Sequence, residues 1–292
     1  MQSQNKFNHS TKIVGVIGHP IKHSYSPLMH NIAFELAGLN YIYLPFDVPA
    51  SSLKDVFKGM VALGIKGFNV TIPLKEKVLP LLKDVSEEVN IIGAANTIIN
   101  DDGILRGYNT DVHGIVESLN PFKEELSGAS ISVIGAGGAA RSVIYALIRH
   151  FKVGHINIIN RTEQTAESMK EYFSTKMLFS EFKALPLMPP DLVATLRDSK
   201  LIINTTSMGM FPEVDDSATT IKESFMKGQI VFDVVYNPVK TKLLKLAESQ
   251  GATIITGLKM FVEQGAKSYE LWTGEEMQKE KVYRAIESYL VS

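Results

Sequence analysis

The chain has no cysteine among its 292 residues. That excludes disulfides, a thiolate nucleophile and any cysteine-ligated zinc or iron–sulfur site. Its seven histidines never fall in the H-E-x-x-H spacing of a zinc hydrolase, and no resident metal is expected. No apolar run is long enough to span a bilayer. The opening MQSQNKFNHSTK lacks the apolar core of an export signal and reads as a frayed end. A cytoplasmic protein with no membrane partner is expected. An excess of one charge is missing too: 30 Lys and Arg are interspersed with 31 Asp and Glu, for a formal net charge of −1. The basic stripe of a nucleic-acid binder is therefore absent. Chemistry is left to Lys, Asp, Ser, Thr, Asn, Gln and Tyr, or to a bound organic cofactor.

What is present is 45% hydrophobic residues in a length that suits two packed domains. Short apolar runs alternate with helical patterns, the mark of an α/β chain. In the first part, strands are expected at 12–18, 41–46, 67–70 and 94–99, with helical segments near 27–37, 51–63 and 74–82. In the first of these helices Ser26 suits the N-cap, Pro27 the opening turn and Gly38 the stop, with Leu28, Ile32 and Leu36 at helical spacing. A second series has strands at 130–135, 155–160, 200–206, 229–235 and 252–256. Their Val and Ile runs suit parallel strands covered on both faces. A helix running to Phe151 has Ala140, Val143, Ile144, Leu147, Ile148 and Phe151 on one side, and another follows near 163–173. The piece 174–200, with ALPLMPPD, reads as loop, and 257–290 is helical again. The expected architecture is an N-terminal α/β substrate domain over 1–110, completed by helices in 258–292. A doubly wound parallel sheet of Rossmann type spans 111–257.

VIGAGGAAR is the strongest local motif. Gly135, Gly137 and Ala140 fill G-x-G-x-x-G/A between a strand and an apolar helix. The first glycine permits a tight turn and the second lets a pyrophosphate approach the backbone. The third small residue allows close helix–strand packing. The next strand ends at Asn160-Arg161-Thr162, about 20 residues on, where an NAD enzyme places an acid. An uncharged Asn and a cation there favour the 2′-phosphate of NADP, although Arg161 alone also fits a solvated charge. Arg141, in the first turn of the motif helix, is a further candidate for holding phosphate.

A dinucleotide site implies a partner substrate. Ser24, Ser26, Asn69, Thr71, Lys75, Asn96, Thr97, Asn109 and Asp111 stand at expected strand ends or helix starts. Hydroxyls and amides with one Lys and one Asp suit a small polyhydroxylated substrate. Each also has a plain structural explanation: Ser26 as an N-cap, Asn96 as a turn residue, Asp111 as the cap of VHGIVESL, Lys75 as a surface charge like Lys77.

Taken in order, SYSPLMHN, FNVTIPLK, GAANT, GYNTD, GAGGAAR, NRT, NTTSMGM, DVVYNP and GLKMFVEQG resemble the shikimate dehydrogenase family from about residue 13 to 290. The resemblance implies that Ser24 and Ser26 bind the substrate carboxylate, and that Thr71, Lys75, Asn96, Asp111, Tyr236 and Gln264 surround the substrate. It implies a cofactor site of Gly135, Ala136, Gly137, Gly138, Ala139, Asn160, Arg161, Thr162, Thr205, Met208, Val234 and Gly257, with Met208 and Gly257 by the nicotinamide. The implied reaction is reversible reduction of 3-dehydroshikimate by NADPH, in which Lys75 donates the proton, Asp111 orients it, and Lys77 is merely solvated. Tyr25 and Phe261 stand where the family often has Leu. The rivals are a quinate/shikimate dehydrogenase using NAD, a non-catalytic cofactor-binding regulator, and another two-domain NADP enzyme such as a methylene-tetrahydrofolate dehydrogenase. A monomer or homodimer is expected.

Overall fold

The run Lys12–Gly18 forms the strand its Val and Ile content predicts (β1), and two more strands flank it in parallel: β2 (Tyr41–Asp47) and β3 (Gly67–Val70). The structure, a computed structural model, describes residues 7–22, 24–187 and 192–291. The chain divides into two units. One runs to Thr110 and takes in Gly265–Ile286; the other is Asp111–Gln264 with the chain from Glu287 on.

In the first unit the sheet continues from β3 through two antiparallel strands, β5 (Thr97–Asp101) and β6 (Ile104–Tyr108), to the two-residue β4 (Asp84–Val85). The strand expected at 94–99 thus begins only at Thr97. Helix α1 (Ser26–Ala37) contains Pro27 in its first turn and is closed by Gly38 at φ 67°. Ser26 is not its N-cap: that position is Tyr25, with no side-chain cap. The buried face is Met29, His30, Ala33 and Phe34, while Leu36 is exposed. The face is displaced from the expected one because the helix is clamped by rings, His30 stacking on Tyr43 at 4.4 Å and Phe34 on Tyr41 at 5.0 Å. Helix α2 (Leu53–Ala62) covers the sheet. The helix expected near 74–82 is instead turns and a single 3-10 turn, Leu79–Leu81. Pro80 has no N–H to donate and its ring would clash with the carbonyl four residues back. A short α3 (Glu87–Ile92) is capped by Ser86, whose hydroxyl accepts from Val89 N–H at 3.3 Å. The core gathers Phe57, Met60, Phe68, Leu74 and Ile98. At the expected frayed end, residues 1–6 lie outside the described residues. Asn8 and Thr11 are tied to Asn40 at 3.1 and 2.7 Å.

The second unit opens with α4 (Asp111–Leu119) and the short α5 (Lys123–Leu126). Its strands are β7 (Ser130–Ile134), β8 (His155–Asn160), β9 (Phe182–Pro186), β10 (Leu201–Asn204), β11 (Ile230–Asp233) and β12 (Thr253–Ile255). They are all parallel, in the order β12-β11-β10-β7-β8-β9. Helices α6 (Gly138–Ala146), α7 (Glu163–Met177), α8 (Leu192–Arg197) and α9 (Lys242–Ser249) connect them. α10 (Gly257–Thr273) and α11 (Lys279–Val291) end the chain, each shared between the units. The apolar face expected after the glycine turn is buried at Ala140, Val143, Ile144, Leu147 and Phe151. The stretch 174–200 is not all loop: it holds β9 and α8, while residues 188–191 of it lie outside the described residues. β9 is an edge strand, where Pro186 is tolerated. The strand order turns back between β7 and β10, the switch point at which doubly wound sheets hold ligands.

Candidate active site

At the switch point the turn after β7 is built for glycine. Gly135 has φ +108°, and a Cβ on it would lie 2.5 Å from the Thr205 hydroxyl. Its N–H donates to Ile159 O at 2.7 Å, so the turn is pinned to β8. Gly137 is different: nothing lies within 4 Å of where its Cβ would be. It is the N-cap of α6, so its backbone borders open space at the helix's first turn, whose amides at Gly138 and Ala139 have no intrahelical acceptor. Such a helix start attracts an anion, and its fit to a dinucleotide pyrophosphate is good. Asn160 ends β8 and donates to Thr162 O at 2.9 Å, while Arg161 and Thr162 are exposed. An exposed cation after β8 suits a 2′-phosphate. Arg141, on α6, places its guanidinium 4.6 Å from the Tyr172 ring of α7.

The ends of β10 and β11 form the other side of the switch point. Thr205 donates to Ile134 O at 2.7 Å, directly below the glycine turn. Met208 N–H donates to Thr206 Oγ1 at 3.2 Å. Gly257 opens α10 against the chain: a Cβ there would lie 2.5 Å from Val234 O and 2.6 Å from Val235 O. Val234 N–H donates to Asn204 O at 3.1 Å, so the segment that carries Thr205 and Met208 starts beside the one that carries Val234, against which Gly257 fits. Tyr236 stacks on Phe261 at 4.1 Å, and Gln264 donates to Phe261 O at 2.9 Å. Phe261, one of the two departures, is therefore buried beneath Tyr236.

In the first unit the polar residues gather at one end of the sheet. His19 N–H donates to Ile72 O at 3.0 Å, joining the end of β1 to the end of β3, where Thr71 stands. Ser24 Oγ accepts from Ser26 N–H at 3.3 Å in the turn before α1. Lys75 is half-buried and Lys77 exposed. The carbonyl of Lys75 accepts from Ala95 N–H at 2.9 Å, placing Lys75 one residue from the Asn96 backbone. Asn96 is held on both sides of its amide: Nδ2 donates to Thr110 Oγ1 at 3.0 Å, and Oδ1 accepts from Thr110 N–H at 2.7 Å. Asp111 follows as the first residue of α4, buried, at the positive end of that helix. Lys75 belongs to the first unit and Asp111 opens the second.

Behind this rim runs a buried network that joins two of the candidate polar residues, Asn69 and Thr97, to Tyr43, Thr110 and Ser268, which the sequence did not single out. The hydroxyls of Thr97, Thr110 and Ser268 lie 2.8 to 3.1 Å from one another. Asn69 Nδ2 donates to Thr97 and Ser268, and Asn69 Oδ1 accepts from Tyr43 Oη at 2.8 Å. Ser268 comes from α10, far along the chain, and no local pattern announces it. A second such group is Asp233, whose signal was available: one acid inside the apolar run IVFDVV. Among the described residues no three His, Asp or Glu side chains converge to hold a metal ion, and no helix is long and apolar enough to cross a membrane.

Comparison with known proteins places this geometry. Residues 16–98 match the shikimate dehydrogenase substrate binding domain. Residues 118–242 match the shikimate / quinate 5-dehydrogenase family, and 257–287 the shikimate 5′-dehydrogenase C-terminal domain. The chain is 44% identical over 282 residues to the shikimate dehydrogenase (NADP(+)) of Caldanaerobacter subterraneus subsp. tengcongensis, covering 96% of this chain and 98% of that protein. A crystal structure of a shikimate dehydrogenase in complex with NADP+ superposes with a TM-score of 0.90 at 39% identity, covering 98% of each chain. The Listeria monocytogenes shikimate 5-dehydrogenase in complex with shikimate and NAD has a TM-score of 0.86 at 35% identity, covering 97% of this chain and 99% of that one.

Proposed function

The chain belongs to the shikimate dehydrogenase family, and from that premise we propose that it is an NADP-dependent shikimate dehydrogenase. It is an oxidoreductase of aromatic amino-acid biosynthesis, interconverting 3-dehydroshikimate and shikimate. The observation that carries the reading is the turn at residues 135–138, where Gly135 has no room for a side chain and the Cβ position of Gly137 is open, as a bound phosphate would require. It occurs in a chain whose other domain carries the matching substrate motifs. The enzyme works in the cytoplasm as a monomer or homodimer on a small-molecule substrate, with neither nucleic acid nor membrane as partner.

When bound, NADPH supplies the hydride that reduces the ketone carbon. Gly135, Ala136, Gly137, Gly138 and Ala139 would hold its pyrophosphate, Asn160, Arg161 and Thr162 its 2′-phosphate end, and Thr205, Met208, Val234 and Gly257 its nicotinamide end. Ser24 and Ser26 bind the substrate carboxylate through hydroxyl donors. Thr71, Asn96, Tyr236 and Gln264 hold its hydroxyls. As the ketone oxygen gains negative charge, Lys75 gives it a proton, and Asp111 orients the Lys75 ammonium. In the reverse direction the same pair takes the proton from the shikimate hydroxyl.

Positioned proton transfer is worth about 10²–10⁴-fold in rate. Lys75→Ala is therefore expected to lower kcat by about 10²-fold or more while leaving NADPH affinity unchanged. Steady-state rates and cofactor titration of the purified variant measure both, and near-normal turnover would remove Lys75 from this role. The substrate and cofactor are tested by following nicotinamide absorbance with NADP+ or NAD+ against shikimate or quinate. Turnover of quinate with NAD+ alone would replace this reading with the quinate one, and no turnover in any combination would favour a regulator.

A further inference from the structure

Asp233 ends β11 with a fully buried carboxylate that the proposed chemistry does not use. Three neutral donors hold it. Oδ1 accepts from Asn204 Nδ2 at 3.0 Å and from Val235 N–H at 3.1 Å, and Oδ2 accepts from the Thr241 hydroxyl at 2.6 Å. Burial, opposed by these bonds, pushes the carboxyl up to about 6. A carboxylate kept in such a place without a cation is costly unless its bonds set a geometry.

The donors come from three separate segments. Asn204 ends β10. Val235 is the second residue of the turn after β11. Thr241 is the N-cap of α9 and accepts from Leu244 N–H at 3.4 Å. Asn204 passes the constraint on: its Oδ1 accepts from Thr206 N–H at 3.1 Å and Thr206 Oγ1 at 2.7 Å, and its Nδ2 reaches Met208 O at 3.4 Å. On the other side, the carbonyls of Val234 and Val235 are the surfaces against which Gly257 fits. One carboxylate therefore spaces the loop 205–208 from the turn 234–236.

We propose that Asp233 is a positioning residue for the nicotinamide end of the cofactor site, holding the loop that carries Thr205 and Met208 in register with the turn that carries Val234. The inference rests on the functional reading above, since it takes these residues to face the nicotinamide. Asp233 touches neither substrate nor cofactor and acts through Asn204 and Val235.

The test compares NADPH with adenosine 2′,5′-bisphosphate, which keeps the 2′-phosphate end and lacks the nicotinamide. Asp233→Ala removes the acceptor of three donors, of which Asn204 Nδ2 alone keeps a second contact at Met208 O, and is expected to weaken NADPH about tenfold, the scale of one buried unsatisfied donor. The fragment's affinity and the KM for shikimate are expected to stay within about twofold. A general loosening of the fold would weaken fragment and cofactor together. Asp233→Asn keeps the two bonds to Oδ1 and turns an amide toward Thr241. It is expected to fold and to lose about threefold in NADPH affinity, and it decides the question if the alanine variant does not fold. NADPH affinity equal to wild type in these variants, or a parallel loss of fragment and cofactor, overturns the inference. Wild-type protein that binds neither NADPH nor fragment overturns the functional reading and this inference with it.

Discussion

His30 shows how one residue ties the buried face of α1 to acid stability. Its ring is fully buried between Tyr43 and Trp272, centroids 4.4 and 5.4 Å away, and both ring nitrogens lack a hydrogen-bond partner of good geometry. Burial lowers its pKa from 6.5 to about 3, and the nearby Asn69 amide offsets only part of that. The folded protein thus keeps His30 neutral where the unfolded chain would charge it. Between pH 3 and 6.5 the unfolded state binds more protons, so stability from this residue is present above pH 6.5 and is lost as pH falls toward 3. From pH 7 to 4.5 the loss is on the order of 2 kcal/mol. Asp233 acts with the opposite sign: its raised pKa means that protonation below about 6 favours the folded state. Replacing His30 by Phe keeps a ring on Tyr43 and removes the titration. Whatever the repacking costs, the difference in urea midpoint between pH 7 and pH 4.5 is expected to shrink in His30→Phe. An unchanged difference would mean that His30 does not govern acid sensitivity.

The glycine turn separates two demands that a motif merges. At Gly135 the positive φ and the Thr205 hydroxyl both exclude a side chain, whereas at Gly137 φ is −101° and the Cβ position is empty. Gly135→Ala is expected to lower stability by about 1 kcal/mol or more and to weaken NADPH. Gly137→Ala is expected to keep the melting temperature and still weaken NADPH, because its methyl takes the phosphate's space. Thermal melts with cofactor titration of both variants check this. If Gly137→Ala binds NADPH normally, no phosphate lies there. The turn was legible because strand, glycines and apolar helix all point the same way. Other elements were not. β6 follows Asp102 and Gly103, both at positive φ, 48° and 93°, a tight hairpin signalled by Asp-Gly. Its residues ILRGY are half exposed, however, and do not look like a buried strand. β9 at the sheet edge has little apolar alternation to display, and the 74–82 pattern hid Pro80. The candidate residues stood out in the sequence where they sit in distinctive motifs, as Lys75 does in FNVTIPLK and Arg161 in NRT. The site was unreadable where it depends on partners far along the chain, as with Ser268.

At the scale of the molecule, the first unit is unfinished without the chain's last turns. Trp272 Nε1 donates to Ile98 O at 3.1 Å, Tyr41 donates to Trp272 O at 3.1 Å, and Ser268 joins the hydroxyls of Thr97 and Thr110. Tyr269 is fully buried, 5.3 Å from Phe34. These contacts span up to 231 positions of sequence, so part of the first unit's buried surface and polar pairing is supplied by α10. α10 also begins in the second unit, with Gly257 fitted against Val234 and Val235. One continuous helix therefore serves both units, its first part packed in the second unit and its later part in the first. The chain carries a single tryptophan, Trp272, in the first unit, whereas the residues proposed to bind NADPH lie in the second. Ligand that binds only the folded state stabilises by about 2.7 kcal/mol at a hundred times its Kd. If the shared helix makes the units unfold together, saturating NADPH raises the urea midpoint of Trp272 emission as much as that of far-ultraviolet circular dichroism. A Trp272 midpoint that stays put while the dichroism midpoint rises would show that α10 can come apart at the division and that the first unit holds on its own.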